Sequence, residues 1–371
     1  MIATDPQAQT CVSEDLPDRP RVTVFIPTRN EGVHVVETLE AVLGQDYAAE
    51  LLHILLVDGM STDDTRVRAR ALLAAQDRVS WEIVDNPEGD LTHAYMHAWE
   101  RVQGDVFTYV CGHAKISPDY VSAVVRALKG IPCDAVGGPY RMVGRTATGK
   151  AVAAAWSCPF GVGASTYRYA EELMPTESPP MASYRASLIR REGFFDPESR
   201  GYGEDWEYHH RLRQAGARMY LDPSIHAEFH ARDSFWSLVV QARKYGIAKG
   251  WLTRTHGWRI LRPSHLVPTA WVAFNLIFLV GALFCPYSLY AWLAGVSAYV
   301  VTAIWAAAGA CRRRGHSLAL VPRVALAFVI MHALYGIGLV RGLVLGRGKG
   351  AQGAAAQPKA AAGDPQRATT P

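Results

Sequence analysis

Residues 21–65 read RVTVFIPTRNEGVHVVETLEAVLGQDYAAELLHILLVDGMSTDDT, and this stretch decides the fold class. Its apolar runs predict two short strands, at residues 22–26 and 54–57, on either side of a helix. A polar loop follows each strand, TRNEG after the first and DGMSTDDT after the second. Ligands of open α/β sheets bind outside the carboxyl ends of the strands, so these loops lie where a nucleotide would be held. An ordinary βαβ unit with polar turns is the alternative interpretation.

The two loops lack the common nucleotide-binding fingerprints. Neither G-x-x-x-x-G-K-[ST] nor G-x-G-x-x-G occurs in this stretch, so neither a P-loop nor a dinucleotide fingerprint explains the layout. Asp58 follows the second strand directly, and its carboxylate could accept a hydrogen bond from a base or ribose.

The loop sequences nevertheless resemble a known family. P-T-R-N-E after the first strand and V-D-G-M-S-T-D after the second are similar to the nucleotide-binding half of inverting family 2 glycosyltransferases. The likeness is greatest to the membrane-attached enzymes of succinoglycan-type exopolysaccharide synthesis, and it runs from about residue 21 to residue 341. It implies an α/β catalytic domain of the GT-A type, with a Rossmann-like, mostly parallel sheet, followed by transmembrane helices. The nucleotide-binding residues that it implies are Pro27, Thr28, Arg29, Asn30, Glu31, Asp58 and Gly59.

Composition narrows the class of protein and its compartment. A formal net charge of +4 and an isoelectric point near 8.7 are too weakly basic to indicate a nucleic-acid partner. The six cysteines form no C-x-x-C pair, which argues against a disulfide framework or structural zinc and suits a reducing compartment. Acidic residues precede any apolar run at the N-terminus, so a signal peptide is not expected. We therefore expect a cytoplasmic catalytic domain.

The C-terminal third predicts a multi-pass protein of the cell membrane. Residues 266–284 and 288–309 are apolar runs long enough to span a bilayer, and Arg312, Arg313 and Arg314 follow the second run. A hairpin with both ends in the cytoplasm satisfies the positive-inside rule. A third run, residues 318–340, is interrupted by charge and by a histidine; we expect it to span, with a re-entrant or interfacial helix as the alternative. Three buried soluble helices would be the other interpretation.

A basic, tryptophan-rich segment precedes these runs. Residues 235–262 read FWSLVVQARKYGIAKGWLTRTHGWRILR, which is typical of an amphipathic helix lying on anionic lipid, although a basic helix packed on the domain would look similar. The predicted organisation is a disordered tail at 1–20, the GT-A domain at 21–232 and the interfacial segment at 233–265. Two to three transmembrane helices at 266–346 and a disordered tail at 347–371 complete it.

Two carboxylates are candidates for the chemistry. Inverting sugar transfer needs a base that takes the acceptor proton and charge that stabilises the departing diphosphate. Residues 201–216, GYGEDWEYHHRLRQAG, place Glu204 and Asp205 in a loop entering a helix, where both could simply be capping residues. The resemblance to the family's E-D motif implies that Asp205 is the catalytic base, with Glu204 beside it. It also implies an acceptor site that includes Ser183, Tyr184, Arg185, Gln241, Arg243 and Lys244, although Tyr184 could equally be a core residue.

The leaving-group side departs from the family pattern. Where relatives carry D-x-D or D-G-H after a strand, this chain has Cys111, Gly112 and His113. The family implies a divalent cation, Mn²⁺ or Mg²⁺, on the diphosphate, yet hard cations prefer oxygen ligands and the first Asp is missing. His113 could suffice as the metal ligand, Lys115 or Arg243 could supply positive charge instead, or this copy could have lost activity.

The resemblance predicts transfer of a sugar from a nucleoside-diphosphate sugar to a polyprenyl-pyrophosphate-linked glycan, at a lipid surface. Two alternatives remain open at this stage. The enzyme could load one sugar directly onto a polyprenyl phosphate, or the protein could be an inactive membrane scaffold of a polysaccharide assembly complex.

Overall fold

The computed structural model describes residues 15–32, 34–163, 165–197 and 203–346. Most of the two predicted disordered tails lies outside these ranges.

Eleven strands form within the described residues, and the first two are longer than the sequence predicted. They are β1 (Val22–Thr28), β2 (Leu52–Asp58), β3 (Ser80–Asp85), β4 (Val106–Tyr109), β5 (Ala114–Ile116), β6 (Ala135–Gly137), β7 (Tyr140–Val143), β8 (Met174–Pro175), β9 (Ser183–Arg185), β10 (Met219–Leu221) and β11 (Ala227–His230).

The described helices comprise a catalytic-domain set and a long C-terminal set. The first set is α1 (Val35–Leu43), α2 (Thr65–Ala74), α3 (Leu91–Trp99), α4 (Tyr120–Gly130), α5 (Ala147–Trp156), α6 (Pro159–Val162), α7 (Ala186–Glu192) and α8 (Glu204–Gln214). The second set is α9 (Phe235–His256), α10 (Pro263–Gly281), α11 (Pro286–Arg313) and α12 (Val321–Leu345).

The main sheet has the strand order β3-β2-β1-β4-β9-β6-β10-β8, and a smaller sheet has the order β5-β11-β7. β1, β2, β3 and β4 are mutually parallel, whereas β9 is inserted antiparallel between β4 and β6. Both faces of the sheet are covered: Val24 and Ile26 pack on one side, and Phe25, between them, packs on the other. Cover on both faces is what a parallel sheet requires, and the predicted α/β class is confirmed.

α10 and α11 form an antiparallel hairpin. The rings of Trp271 and Tyr299 stack with centroids 4.4 Å apart, and the Trp292 indole donates to the Asn275 side chain at 3.0 Å. No described residue of α10 is buried. At the other end of the hairpin, Arg314 donates to the Ser157 hydroxyl at 2.7 Å and to the Met142 carbonyl. Both ends of the hairpin therefore lie at the catalytic domain.

Three helices, beginning at Pro263, Pro286 and Leu318, are long and apolar enough to cross a membrane. The third behaves differently from the hairpin, because α12 packs on the catalytic domain along its length. In its middle, the His332 ring donates to the Phe160 carbonyl at 2.9 Å, and Phe328 packs edge-on against the Phe160 ring. Near its end, the Val344 carbonyl accepts from Arg254 at 2.8 Å.

α9 and α12 run side by side in the same direction through paired glycines. A Cβ on Gly246 would lie 2.2 Å from the Tyr335 carbonyl oxygen, and one on Gly250 would lie 2.2 Å from that of Leu339. Gly338 and Gly342 meet α9 in the same way from the other side. A side chain at any of these four positions would force the two backbones apart.

We expect Gly250→Ala to destabilise the protein by about 1–3 kcal/mol, because the added methyl group overpacks a backbone contact. Gly309→Ala is the matched control, since a Cβ there meets only the Arg313 side chain at 3.7 Å. The control should gain roughly 1 kcal/mol from helix propensity. Thermal unfolding in detergent measures both, and equal stability of the two variants would contradict the close packing.

Candidate functional site

A pocket opens at the carboxyl ends of β1, β2 and β4, as the sequence predicted. Eight of the predicted site residues line it: Pro27, Thr28, Arg29, Glu31, Gly59, Cys111, Gly112 and His113. Asn86, Gly89, Asp90 and Tyr109 complete much of the remaining wall. The parallel register explains the convergence, because Thr28 and Asp58 are partners across adjacent strands and end at the same edge.

Asp58 and Asn30 are not among the residues that line this pocket, and their predicted role as nucleoside contacts stays a prediction. Asp58 is 1% exposed, and its carboxylate accepts from the Ser61 backbone amide at 3.1 Å and from the Ser61 hydroxyl at 2.5 Å. The Asn30 side-chain oxygen accepts from the Thr62 amide at 2.9 Å. Both side chains hold the loop after β2 in place, because that loop's amide groups need acceptors. Arg29 is similarly fixed to the Gly89 carbonyl at 2.7 Å.

Cys111, His113 and Glu31 form a connected cluster in the pocket wall. The Cys111 sulfur lies 3.4 Å from His113 Nε2, and His113 Nδ1 lies 2.9 Å from Glu31 Oε1. Burial opposes ionisation of the thiol, but the charge and hydrogen bonds of His113 outweigh it and lower the pKa of Cys111. The charge of Cys111, its hydrogen bond and Glu31 raise the pKa of His113 to about 10. Cys111 and His113 therefore each stabilise the charged form of the other.

The sequence suggested that Glu204 and Asp205 lie in a loop. In the structure both lie in the first turn of α8. Glu204 is 7% exposed, whereas Asp205 is exposed. The turn begins at Gly203, which packs against Ala248 and Leu252 of α9. Asp205 lies on the floor of a cleft, where surrounding protein raises the pKa of its carboxyl group while Lys249 and Arg168 oppose that rise. It has the accessibility that a general base needs, and Glu204 does not.

Two buried cations that sequence reasoning missed lie near Asp205. Arg168 is 7% exposed and Lys249 is 8% exposed. The Arg168 guanidinium lies 4.3 Å from the centroid of the Trp156 ring, and the Lys249 ammonium lies over Trp206. Burial lowers the pKa of Lys249 well below its usual value. From the sequence, Lys249 was assigned only to the basic segment predicted to face lipid. For Arg168, the available signal was the Y-R-Y run in which it lies.

Ser183, Tyr184 and Arg185 do not line an acceptor site, which corrects that prediction. They form β9 inside the main sheet, and all three are 5% exposed or less. The Tyr184 hydroxyl is hydrogen-bonded to His209 at 2.7 Å, and Arg185 donates to the carbonyls of Leu128 and Cys133. Their polar atoms satisfy the sheet interior, so none is available to a ligand.

The α9 residues of the predicted acceptor site divide between two faces. Gln241 donates to the Tyr245 hydroxyl at 3.3 Å, and Tyr245 packs edge-on against Trp156 near the Asp205 cleft. Arg243 and Lys244 are exposed away from the buried stripe.

The charges of Cys111 and Asp205 both act on Tyr140. Desolvation by the surrounding protein raises the pKa of its hydroxyl well above the usual value, and these two charges add to that rise. Asp205 itself is not among the residues that line the pocket.

Among the described residues, one cluster of three groups could chelate a metal ion: His34, Glu37 and His230, with ligand atoms within 4.8 Å of one another. Arg145 lies 3.1 Å from the His230 ring and 3.7 Å from Glu37, so its guanidinium already contacts two of the three groups. The predicted ligand His113 belongs to the separate Cys111–Glu31 cluster.

Comparisons with known proteins agree with this geometry. Residues 23–194 match the model of Glycosyl transferase family 2. The chain is 27% identical to the succinoglycan biosynthesis protein ExoA of Rhizobium meliloti over 86% of this chain and 94% of that protein. It is 25% identical to a Methanococcus voltae protein over 65% of this chain and 76% of the other. That protein is named dolichyl N-acetyl-alpha-D-glucosaminyl phosphate 3-beta-D-2,3-diacetamido-2,3-dideoxy-beta-D-glucuronosyltransferase.

A solved structure shares the fold. The mannosyltransferase PcManGT from Pyrobaculum calidifontis, in complex with GDP-Man and Mn²⁺, superposes with a TM-score of 0.61 at 20% identity. The match covers 91% of this chain and 90% of the other. The predicted GT-A fold and the resemblance to family 2 are therefore confirmed.

We expect Cys111 to be alkylated by iodoacetamide at neutral pH much faster than Cys133, whose pKa burial raises to about 11. A thiol with a lowered pKa reacts at its plateau rate above that pKa and slows as the pH falls through it. In His113→Gln the plateau should move to higher pH, because the imidazolium charge is gone. Mass spectrometry of labelled peptides gives both rates, and an unchanged profile in the variant would contradict the ion pair.

Proposed function

We propose that this chain, whose residues 23–194 match Glycosyl transferase family 2, transfers a sugar from a nucleoside-diphosphate sugar to a lipid-linked glycan with inversion. The acceptor is a polyprenyl-pyrophosphate-linked glycan of exopolysaccharide or cell-envelope synthesis. One observation carries the proposal: Asp205 is an exposed carboxylate in the first turn of α8, and the pKa of its carboxyl group is raised.

The pocket at the ends of β1 and β4 takes the nucleoside diphosphate in this proposal. Arg29, fixed by Gly89, and the imidazolium of His113 provide positive charge at its wall. Positive charge there stabilises the departing diphosphate. The exposed position of Asp205 and its raised pKa suit it to accept a proton from the acceptor hydroxyl as that oxygen attacks the anomeric carbon.

A divalent cation fits this pocket with a restricted donor set. In the pocket wall, His113 and Glu31 would offer one nitrogen and one oxygen, which suits Mn²⁺ better than Mg²⁺. When bound, the cation would neutralise charge on the leaving diphosphate. Its binding must displace the His113 proton, because a protonated imidazole is no ligand. The imidazolium supplies part of the same charge without metal.

In this proposal, the C-terminal helices hold the site at a lipid surface. We assign the membrane crossing to the α10–α11 hairpin, whose apolar side chains are exposed and whose two ends meet the catalytic domain. α12 then lies in the interface and does not span, because its middle bonds to the Phe160 carbonyl of the catalytic domain. The unburied side chains of α12, including Val329, Ile337 and Val344, face lipid in this arrangement. The end of α12, with Arg341, stays on the catalytic-domain side in this arrangement, as the positive-inside rule requires for a cytoplasmic domain.

Asp205→Asn should reduce sugar transfer by about 10²–10⁴-fold, because the amide cannot take the acceptor proton. Nucleotide binding should be retained, since Asp205 does not line the pocket. In the parent protein, transfer should decline as the pH falls through the raised pKa of Asp205, where the base becomes protonated. Transfer assays and a nucleotide thermal-shift assay provide the two readouts.

The exposed Glu228→Gln is the matched control and should leave transfer unchanged. Full activity of Asp205→Asn would instead favour direct loading of a polyprenyl phosphate, whose phosphate is already ionised and needs no base. A protein that binds no sugar nucleotide with or without Mn²⁺ would favour the scaffold, to which the missing carboxylate at Cys111 points.

Labelling with a membrane-impermeant maleimide tests the topology. In sealed vesicles, thiols placed by Ser317→Cys and Lys349→Cys should react from the same side of the membrane. Cys285, the exposed native thiol at the hairpin tip, should react from the opposite side. Reaction of Lys349→Cys from the side of Cys285 would show that α12 spans.

A further inference from the structure

Arg168 and Lys249 are buried cations without a carboxylate partner. No carboxylate oxygen lies within ion-pair distance of either side chain in the described ranges, and Arg168 Nε and Lys249 Nζ have no hydrogen-bond acceptor there. Burying a charge is costly unless it is paired. Proteins keep such unpaired buried charges at sites where an anionic ligand pairs with them.

Aromatic rings hold both cations in place without neutralising them. Arg168 lies within 5.7 Å of the ring centroids of Tyr140, Trp156 and Tyr167. Lys249 lies over Trp206, the neighbour of Asp205 in the chain. Cation–π contact fixes the position of a charge but leaves the net charge in place. The charge of Arg168 therefore remains available to an anion, and an anion beside Lys249 would favour its protonated form.

Nearby acids do not supply that anion. Glu177 is engaged by Arg262 at 2.8 Å and by Arg213 at 3.8 Å, so it is already outnumbered by cations. Asp205 is the other carboxylate whose charge reaches Lys249. This side of the cleft has an excess of positive charge around one exposed carboxylate.

We propose that Arg168 and Lys249 form a phosphate-binding site beside Asp205 that holds the phosphate of the lipid-linked acceptor. The proposal rests on the proposed transfer to a lipid-linked glycan. Neither residue lines the nucleotide pocket, which separates this site from the donor diphosphate. Lys249 belongs to α9, whose backbone packs directly on the apolar α12, so an acceptor lying along α12 reaches the site from the membrane side.

The site also restricts the acceptor. A phosphate held next to the base places only the first sugars of the lipid-linked chain within reach of Asp205. The structure therefore favours an acceptor with a short glycan on its lipid phosphate over a long polymer whose growing end is remote from its lipid.

Thermal-shift titrations of the full-length protein in detergent test the site with short probes. The probes are farnesyl phosphate, farnesyl diphosphate, uncharged farnesol, GDP and UDP. The variants are Arg168→Met and Lys249→Met, with the exposed Arg126→Met and Lys150→Met as matched controls. We expect each site variant to weaken binding of the farnesyl phosphates by on the order of tenfold or more, as for loss of a charge-assisted contact. Binding of GDP and UDP, and all binding by the controls, should be unchanged.

Stability separates a ligand site from a structural role. Replacing an unpaired buried charge by an apolar side chain of similar length is neutral or stabilising. We therefore expect the thermal midpoint without ligand to stay equal or to rise in both site variants. A lowered midpoint with unchanged farnesyl phosphate binding would overturn the proposal, and so would loss of GDP and UDP binding with the farnesyl phosphates unaffected.

Kinetics distinguish this proposal from the function on which it rests. If the protein transfers sugar, both site variants should raise the acceptor KM and leave the donor KM unchanged; an unchanged acceptor KM would overturn the site. If the protein transfers no sugar but farnesyl phosphate binds through Arg168 and Lys249, the transferase function fails while the phosphate site stands.

Discussion

The close packing of α9 on α12 is the constraint on which the arrangement of the cleft depends. Gly246 and Gly250 approach carbonyl groups of α12 so closely that no side chain fits between the backbones. This contact fixes the axial position of α9 and, with it, the position of Lys249. The opposite side of α9 receives Gly203 at the start of α8, so the same helix also positions Asp205. The candidate base is thus held at a fixed distance from the apolar helix α12.

Electrostatics in the pocket at the strand ends follow from the replacement of a carboxylate by a thiol. A carboxylate at position 111 would be ionised without assistance, whereas the charge and hydrogen bonds of His113 are what lower the pKa of Cys111. In return, Cys111 raises the pKa of His113 and favours an imidazolium in the pocket wall. Glu31 then stabilises the imidazolium from the other side. The departure from the acidic motif is therefore compatible with stabilisation of a diphosphate, provided that positive charge and not metal alone performs that task.

The alternation of buried side chains along β1 shows how much of this fold the sequence predicts. Val24 and Ile26 face one layer and Phe25 the other, and polar loops at the ends of β1 and β2 locate the pocket correctly. β9 could not be predicted as an internal strand, because its three residues, Ser183–Arg185, are polar or aromatic and too few to show a period. Its partners are supplied by His209 and by backbone carbonyls distant in the chain. The role of Arg168 was also missed, because the aromatic rings around it come from three separate elements of the structure.

The cleft contains two buried cations without carboxylate partners, and this composition costs free energy of folding. A protein selected only for stability would pair Arg168 and Lys249 with carboxylates or replace them by apolar side chains, since buried unpaired charge is destabilising. The rings around both cations recover part of that cost and stop the cations from collapsing onto Asp205. If Lys249 were paired directly with Asp205, the pKa of the carboxyl group would fall and the base would be weakened. Separation keeps the pKa of Asp205 raised and leaves the cations to bind a third, anionic group, and an acceptor phosphate next to the base meets both requirements.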